Sequence, residues 1–240
     1  MVQSVTVTSS SDLIFIGASE TFAATAAMSS GGTQPVSGAT WGSDSPSVAS
    51  VDNTGRVTGV GSGMATIFVD FQGRRGTKLI RGLPNYQGAW SGSYAITGCS
   101  QTGDFARANF CSNFPTNRVF PTNLNLTQDR DRVQGRFFFG TLGGDGSGPV
   151  QSNGQLLLVG AIQDPTFTIE TNWSLGSSTA GRISGGVSQI WRGAGLAGDA
   201  RVNAEIRDLN RTSSVAAVST PRVLTTGSGL AAHLKALEAR

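Results

Sequence analysis

The stretch that decides the fold of the N-terminal third runs from Thr40 to Ile67 and reads TWGSDSPSVASVDNTGRVTGVGSGMATI. Its valines recur in short runs in which apolar and polar side chains nearly alternate, as they do in half-buried strands. Asp52-Asn53-Thr54-Gly55 separates two of these runs and has the residue types of a hairpin turn. The pattern predicts short strands joined by tight turns, with Trp41 in the core between two sheets.

These residues resemble the core pattern of the bacterial immunoglobulin-like domain, group 2, found in surface adhesins of the intimin and invasin type. The resemblance covers about residues 2–82 and implies an Ig-like β-sandwich. It also implies a spacer or adhesive role on an extracellular bacterial protein, and not a catalytic one. The matching positions are Trp41, Ser43-Asp44, Val48 to Asp52, Gly55, Val57 to Val60 and Gly63 to Ile67.

Composition supports an all-β secreted protein. The chain has 240 residues, 33 glycines and only 14% charged residues, and its small positive charge is scattered. Arginine alternates with aspartate from Asp129 to Arg132, which predicts a solvated turn and not a nucleic-acid patch. No stretch is apolar for long enough to span a membrane as a helix. Because Met1-Val2-Gln3 leads directly into a polar strand, we expect no signal peptide in this chain, which would then be a mature form or a piece of a longer protein.

Beyond a linker at Gly82 to Asn85, eight further strands are predicted, with short connections except for one long loop. This order fits a small eight-stranded up-and-down antiparallel β-barrel. We therefore predict an all-β chain with an Ig-like β-sandwich (1–82), a β-barrel (83–211), and an extended tail with a short C-terminal helix (212–240). The predicted strands are 88–97, 120–128, 132–141, 147–152, 155–163, 166–175, 182–192 and 199–209.

Glycines mark both the turns and the strands of this second domain. Gly143-Gly144-Asp145-Gly146 and Ser152-Asn153-Gly154 are predicted to be turns. The first of them resembles a calcium loop only superficially, because it has one acid where such loops need several oxygen ligands. Gly135, Gly160 and Gly185 fall inside strands, where glycine suits the sharp coiling of a small barrel.

The opening of this domain, Gly88-x-Trp90, resembles the opening of lipocalins and the wider calycin group over about residues 86–211. In lipocalins that tryptophan packs at the closed end of the barrel beneath an arginine from a late strand. The resemblance implies such a contact here, with Arg192, Arg201 and Arg207 as candidates. The chain lacks the lipocalin helix after the last strand at a matching place.

Large apolar side chains fall on the inward positions of the predicted strands. An eight-stranded barrel has an interior only just wide enough for side chains, so we predict a packed barrel. A small apolar ligand pocket at the open end is the competing interpretation. The predicted lumen residues are Trp90, Tyr94, Phe137, Phe139, Phe167 and Trp173.

Two cysteines, Cys99 and Cys111, flank the long loop. They are too far apart for a redox dithiol motif, and no histidine lies nearby to complete a metal site. In an exported protein this arrangement predicts one disulfide that pins the loop, with two unpaired thiols as the alternative.

Catalytic patterns are missing from the predicted globular body. The one histidine, His233, lies in the tail, which argues against Ser-His-Asp, Cys-His or histidine–metal chemistry. Glu170 and Glu205 alternate against apolar residues and are predicted to face outward. We predict no catalytic residue, no metal site and no cofactor.

The sequence favours a non-enzymatic extracellular or cell-surface bacterial protein that serves adhesion or surface assembly. A protein or glycan surface partner is expected, without nucleic acid or a membrane span, and self-assembly through the C-terminal tail is a further expectation. Two alternatives stay open: a small apolar ligand-binding barrel like a lipocalin, and an accessory protein of a phage particle. In the tail, Leu230, Leu234 and Leu237 share one face of the predicted helix.

Overall fold

The structure, a computed structural model, describes residues 1–177 and 181–214. The predicted C-terminal helix, most of the predicted tail and His233 lie outside these residues. The chain divides into two compact units. The first comprises Met1–Asn85 together with Gln151–Gly154, and the second comprises Tyr86–Val150 and the described residues from Gln155 onward.

The first unit is built from ten short strands in three sheets. The sheet orders are β1-β4-β5, β2-β10-β9-β6 and β3-β8-β7. The strands are β1 (Val2–Thr8), β2 (Leu13–Phe15), β3 (Ser19–Thr21), β4 (Ala23–Met28), β5 (Thr33–Pro35), β6 (Thr40–Ser43), β7 (Ala49–Val51), β8 (Arg56–Gly59), β9 (Gly63–Phe71) and β10 (Arg74–Leu83).

Alternation along these strands builds a single apolar core. Ala65, Ile67 and Val69 of β9 are fully buried, while their sequence neighbours face outward. Trp41 is half-buried and packs against this core, as the sequence predicted. Gly55 lies beside the indole with φ of +81°, and a Cβ there would come within 3.0 Å of the ring, so both backbone and space require glycine.

The turn at Asp52 to Gly55 forms as the sequence predicted. Asp52 Oδ1 accepts hydrogen bonds from the Thr54 amide (2.8 Å), the Thr54 hydroxyl (2.6 Å) and the Arg56 amide (3.0 Å). The next hairpin turn lies at Gln72 and Gly73, which both have positive φ values, and β10 begins at Arg74.

The second unit contains a closed antiparallel barrel of eight strands, each paired with its neighbour in sequence and the last paired with the first. The predicted up-and-down barrel is therefore confirmed. Its strands are β11 (Gly88–Gln101), β12 (Val119–Asp129), β13 (Arg132–Phe139), β14 (Leu142–Pro149), β15 (Leu156–Asp164), β16 (Phe167–Ser177), β17 (Arg182–Gly193) and β18 (Ala200–Ser213).

One predicted turn is wrong. Gly143-Gly144-Asp145-Gly146 lies inside β14, and the chain reverses at Gly140 and Thr141 instead. Every second residue of β14 from Gly144 to Gly148 is a glycine that faces the lumen. A side chain at these positions would collide with atoms of the neighbouring strands. The glycines are therefore explained by close packing inside the barrel and not by a turn.

The long connection between β11 and β12 is partly helical. It contains a five-residue helix, α1 (Gly103–Arg107), and a 3-10 turn at Phe110–Asn113. We call residues 102–118 the lid, because its apolar side chains pack over one end of the barrel.

Among the residues described, no helix has the length and apolar character needed to cross a membrane.

Candidate functional site

The barrel interior is the first place to look for a functional site. All six predicted lumen residues lie inside the barrel, and none exposes more than 4% of its surface. They come in pairs from three strands, because alternate residues of each strand face inward. The residues are Trp90 and Tyr94 on β11, Phe137 and Phe139 on β13, and Phe167 and Trp173 on β16.

Aromatic rings fill the middle of the lumen by direct contact. Phe139 stacks on Trp173 with ring centroids 5.1 Å apart, and Phe137 lies 5.6 Å from Phe139 and 5.4 Å from Trp173. Tyr94 meets the edge of Phe139 at 5.2 Å and stacks on Phe120 at 5.4 Å. These separations are those of packed aromatic pairs, so the rings occupy the space that a ligand would need.

Glycines on β14 and β15, the two strands that follow β13 around the barrel, make room for the Phe137 ring. A Cβ on Gly144 would lie 2.6 Å from Phe137 Cζ and 2.4 Å from the Ala161 carbonyl oxygen. A Cβ on Gly160 would lie 2.6 Å from Phe137 Cε1. The missing side chains on β14 and β15 and the large ring on β13 are therefore complementary.

Polar groups in the lumen mostly bond to one another. Trp173 Nε1 donates to Thr171 Oγ1 at 3.0 Å, and that hydroxyl donates to the Gly160 carbonyl at 3.2 Å. Trp191 Nε1 donates to Gln189 Oε1 at 3.0 Å. Gln189 Nε2 is the exception, since it is buried and reaches no acceptor at hydrogen-bond geometry.

The tyrosines inside this unit stay protonated at neutral pH. Burial raises the pKa of the Tyr94 phenol far above its ordinary value, and the nearby Gln189 side chain only partly offsets this. Burial likewise raises the pKa of Tyr86 to about 12. The buried residues of the described barrel include no carboxylate and no imidazole, so its interior holds no group that exchanges protons near pH 7.

The lid closes one end of the barrel with three phenylalanines that are almost fully buried. Phe110 and Phe114 stack with centroids 5.1 Å apart, and they lie 5.3 Å and 5.7 Å from the ring of Trp191. Phe105 meets the edge of Phe110 at 5.3 Å. The lid therefore continues the aromatic packing of the lumen and leaves no open mouth at Trp191.

A disulfide and several hydrogen bonds hold the lid in place. Cys99 at the end of β11 is bonded to Cys111 in the lid, with Cα atoms 5.7 Å apart, a usual separation for a disulfide. Asp104 accepts a hydrogen bond from the Ala197 amide at 2.8 Å, which is the main cause of its lowered pKa, and also pairs with Arg107. The lid is thus tied both to β11 and to the loop between β17 and β18.

Tyr86, Trp90 and Arg211 are linked to one another at the other end of the barrel. The Tyr86 hydroxyl donates to the Leu175 carbonyl at 3.1 Å, and Trp90 Nε1 donates to the Tyr86 carbonyl at 2.8 Å. The Arg211 guanidinium lies 4.5 Å from the centre of the Trp90 ring, within cation–π range. This is the type of contact that the lipocalin resemblance implies, although membership of that group stays a prediction.

The arginine in this contact was predicted wrongly. The candidates Arg192, Arg201 and Arg207 all face outward and pair with carboxylates on the barrel surface. The contact falls to Arg211 because β18 has a bulge, where Arg207 and Asp208 both face outward and the pairing with β17 shifts between Ile183 and Gly185. After the bulge the alternation changes phase, which brings Arg211 onto Trp90.

The outer surface of the described residues holds no cluster of three potential metal ligands. Glu170 pairs with Arg192, and Glu205 lies 3.4 Å from Arg207, so both carboxylates are ion-paired on the exposed face as the alternation predicted. Asp129 and Asp131 line a common open cleft at the turn between β12 and β13, together with Arg132.

Comparison with known proteins agrees with the fold of the first unit. Residues 1–74 match the bacterial Ig-like domain, group 2. This Ig-like domain accounts for about the first third of the chain, and the match does not extend into the barrel.

Two further comparisons add little. No curated protein matches the sequence. Among solved structures, domains 4–9 of the surface layer protein SbsC are similar at 13% identity, covering 82% of this chain and 47% of that chain, with a TM-score of 0.26. The chain thus spans about half of that structure, and a TM-score this low supports no argument about fold or function.

Sequence reasoning missed the lid aromatics as part of the interior. Phe105, Phe110 and Phe114 lie in a segment that is otherwise polar, and no strand or long helix period marks them. The sequence feature that could have identified them is the presence of three phenylalanines in one loop. Exposure of three such rings to water is unfavourable in free energy, so their burial could have been predicted.

Proposed function

We propose that this chain is a non-enzymatic, extracellular or cell-surface bacterial protein that serves adhesion or surface assembly. The observation that carries the proposal is the match of residues 1–74 to the bacterial Ig-like domain. The resemblance in the sequence associates that domain with spacer and adhesive units outside the cell. In this proposal the barrel, which comes after the Ig-like domain in the sequence, serves as a second structural module of the same protein.

The barrel supports this proposal in two ways. Its Cys99–Cys111 disulfide suits an oxidising compartment outside the cytoplasm. Its interior is occupied by aromatic rings that touch one another from Phe137 to Phe114 of the lid, through Phe139, Tyr94 and Phe120. A filled, cross-linked barrel with few charges suits a durable structural module better than a carrier of small apolar ligands, which needs a hollow lumen.

The test is the location of the protein in bacteria that produce it. Antibodies against the full chain should label intact cells, and protease added outside should remove that signal without breaking the cells. Cys99 and Cys111 should react with a thiol reagent only after reduction. Protein confined to the cytoplasm with both thiols free would contradict the proposal, and protein found only in purified phage particles would favour the phage alternative.

Adhesion needs its own measurement. Beads coated with the full chain should bind to cells or to cell-wall material more than beads coated with heat-unfolded chain. Surface labelling without any such binding would favour the assembly role over adhesion.

A further inference from the structure

The lid fills one end of the barrel with rings that do not come from the strands. Phe110 and Phe114 lie against Trp191 of β17, and Phe114 also lies 5.9 Å from Phe120 of β12. Phe167 of β16 stacks on Trp191 with ring centroids 5.8 Å apart. The three strand residues are all buried in this arrangement. We call Trp191, Phe120 and Phe167 the aromatic floor.

Few contacts attach the middle of the lid to the rest of the described barrel. From Phe105 to Thr116, one hydrogen bond leaves the lid, and it runs from the Cys111 amide to Gln101 Oε1 at 2.7 Å. The one covalent cross-link is the disulfide between Cys111 and Cys99. The middle of the lid is therefore held by one disulfide, one hydrogen bond and the packing of its three phenylalanines.

The two ends of the lid are anchored separately from its middle. At one end the Thr102 amide donates to the Asp199 carbonyl at 2.8 Å, and at the other the Asn117 amide donates to the Ile96 carbonyl at 2.8 Å. The helical segments between them are about one turn each, which is too short to be stable without packing. Undocking of the middle therefore breaks no ladder between strands, and what opposes it is mainly the packing of the rings.

The disulfide is the one of these contacts that a reductant can remove. Cys99 and Cys111 are both partly exposed, which allows attack by a small dithiol. One thiolate of the dithiol attacks the disulfide, the second closes a cyclic disulfide, and the two cysteines leave as protonated thiols. In the chain-entropy model, loss of this cross-link favours the undocked lid by up to roughly a hundredfold.

We propose that the lid is a plug over a latent binding site for flat apolar molecules, and that cleavage of the Cys99–Cys111 disulfide makes this site available. In the oxidised protein the lid phenylalanines occupy the site. After cleavage, a ligand takes their place against the aromatic floor by the same kind of ring packing. Because the ligand binds only the undocked form, it shifts the lid toward that form. This site goes beyond the surface role proposed above, and it holds or fails independently of that role.

The first experiment is a calorimetric titration of the full-length chain with 1-naphthol, a flat and mostly apolar probe. The double variant Cys99→Ser/Cys111→Ser lacks the cross-link without needing a reagent. It should bind one 1-naphthol per chain with a Kd on the order of 10–100 µM, and the reduced wild-type chain should match it. The oxidised wild-type chain should bind at least about tenfold more weakly, because the lid stays docked.

Two phenylalanine variants in the double-serine background distinguish a plug from an ordinary lining. Phe110→Ala removes a ring that competes with the ligand, so the affinity for 1-naphthol should rise by about threefold or more. Phe120→Ala removes part of the aromatic floor, so the affinity should fall by about threefold or more. Circular dichroism checks that each variant is folded, and Phe110→Ala decides the point by itself if Phe120→Ala does not fold.

Hydrogen exchange followed by mass spectrometry measures the lid directly. Peptides from residues 105–116 should exchange at least about tenfold faster in the double-serine variant than in the oxidised wild-type chain. Peptides from β13 and β16 should stay protected over the same period, which separates undocking of the lid from unfolding of the barrel.

Three results would overturn the proposal. The first is equal binding of 1-naphthol by the oxidised chain and the double-serine variant, or no binding by either. The second is weaker binding after Phe110→Ala, which would make this ring part of the lining. The third is a lid that stays protected from exchange after the cross-link is removed.

Discussion

Replacing Phe137 by alanine tests the packed barrel most sharply among single substitutions. Phe137 is fully buried and lies 5.6 Å and 5.4 Å from the rings of Phe139 and Trp173. Truncation removes a whole ring, and the surrounding strands are held by hydrogen bonds and can close the gap only partly. We therefore expect a loss of about 3–5 kcal/mol in the free energy of unfolding of the barrel.

The neighbouring Phe138 provides a matched control. It faces outward on the same strand and lies over Gly143, where a Cβ would come within 2.8 Å of its ring. Because it is only half-buried, Phe138→Ala should cost about 1 kcal/mol or less. The assay is urea unfolding of the full chain followed by tryptophan fluorescence, which reports mainly on the barrel because three of the four tryptophans lie there.

A double-mutant cycle separates packing from other effects. Gly144→Ala should be strongly destabilising alone, because its Cβ would meet the Phe137 ring and the Ala161 carbonyl oxygen. In the Phe137→Ala background, part of that clash is gone. The double variant should therefore lose less free energy of unfolding than the sum of the losses in the two single variants. Equal losses for Phe137→Ala and Phe138→Ala, or strict additivity in the cycle, would refute a filled interior.

Three further outcomes are expected. Reduction of Cys99–Cys111 should lower the free energy of unfolding of the barrel by up to roughly 3 kcal/mol, and urea curves with and without reductant that coincide would mean that packing alone holds the lid. In the Ig-like domain, hydrogen bonds from Thr54 and from the Arg56 amide lower the pKa of Asp52. That contribution to stability is therefore present above about pH 4 and is lost as the pH falls through the lowered pKa, so Asp52→Ala should be less stable at pH 7 and less sensitive to acid in circular-dichroism melts. An unchanged acid profile in that variant would contradict this assignment. A fragment of residues 1–85 should unfold cooperatively by itself, and a disordered fragment would contradict its independence.

Much of the fold could be predicted from the sequence because side-chain alternation is a local property. It identified the inward residues from Trp90 to Trp173, the turn at Asp52 and the order of the barrel strands. Alternation works here because each strand has one buried face, so that a shift of one residue would expose the core.

The errors have physical causes that are not local. Gly143, Gly144 and Gly146 look like a turn, and only the positions of Phe138, Phe137 and Leu158 beside them show why the strand has glycine there. Arg211 could not be chosen over Arg207 because a single bulge in β18 reverses the alternation.

The measurement that tests the central claim most directly is a titration of the oxidised full-length chain with an apolar fluorescent dye, followed by competition with a small lipid. A barrel filled from Phe137 to the lid has no room for either, so the account predicts no saturable binding to the folded protein. Saturable binding with one site per chain, displaced by the lipid, would show a hollow lumen and would make the protein a ligand carrier.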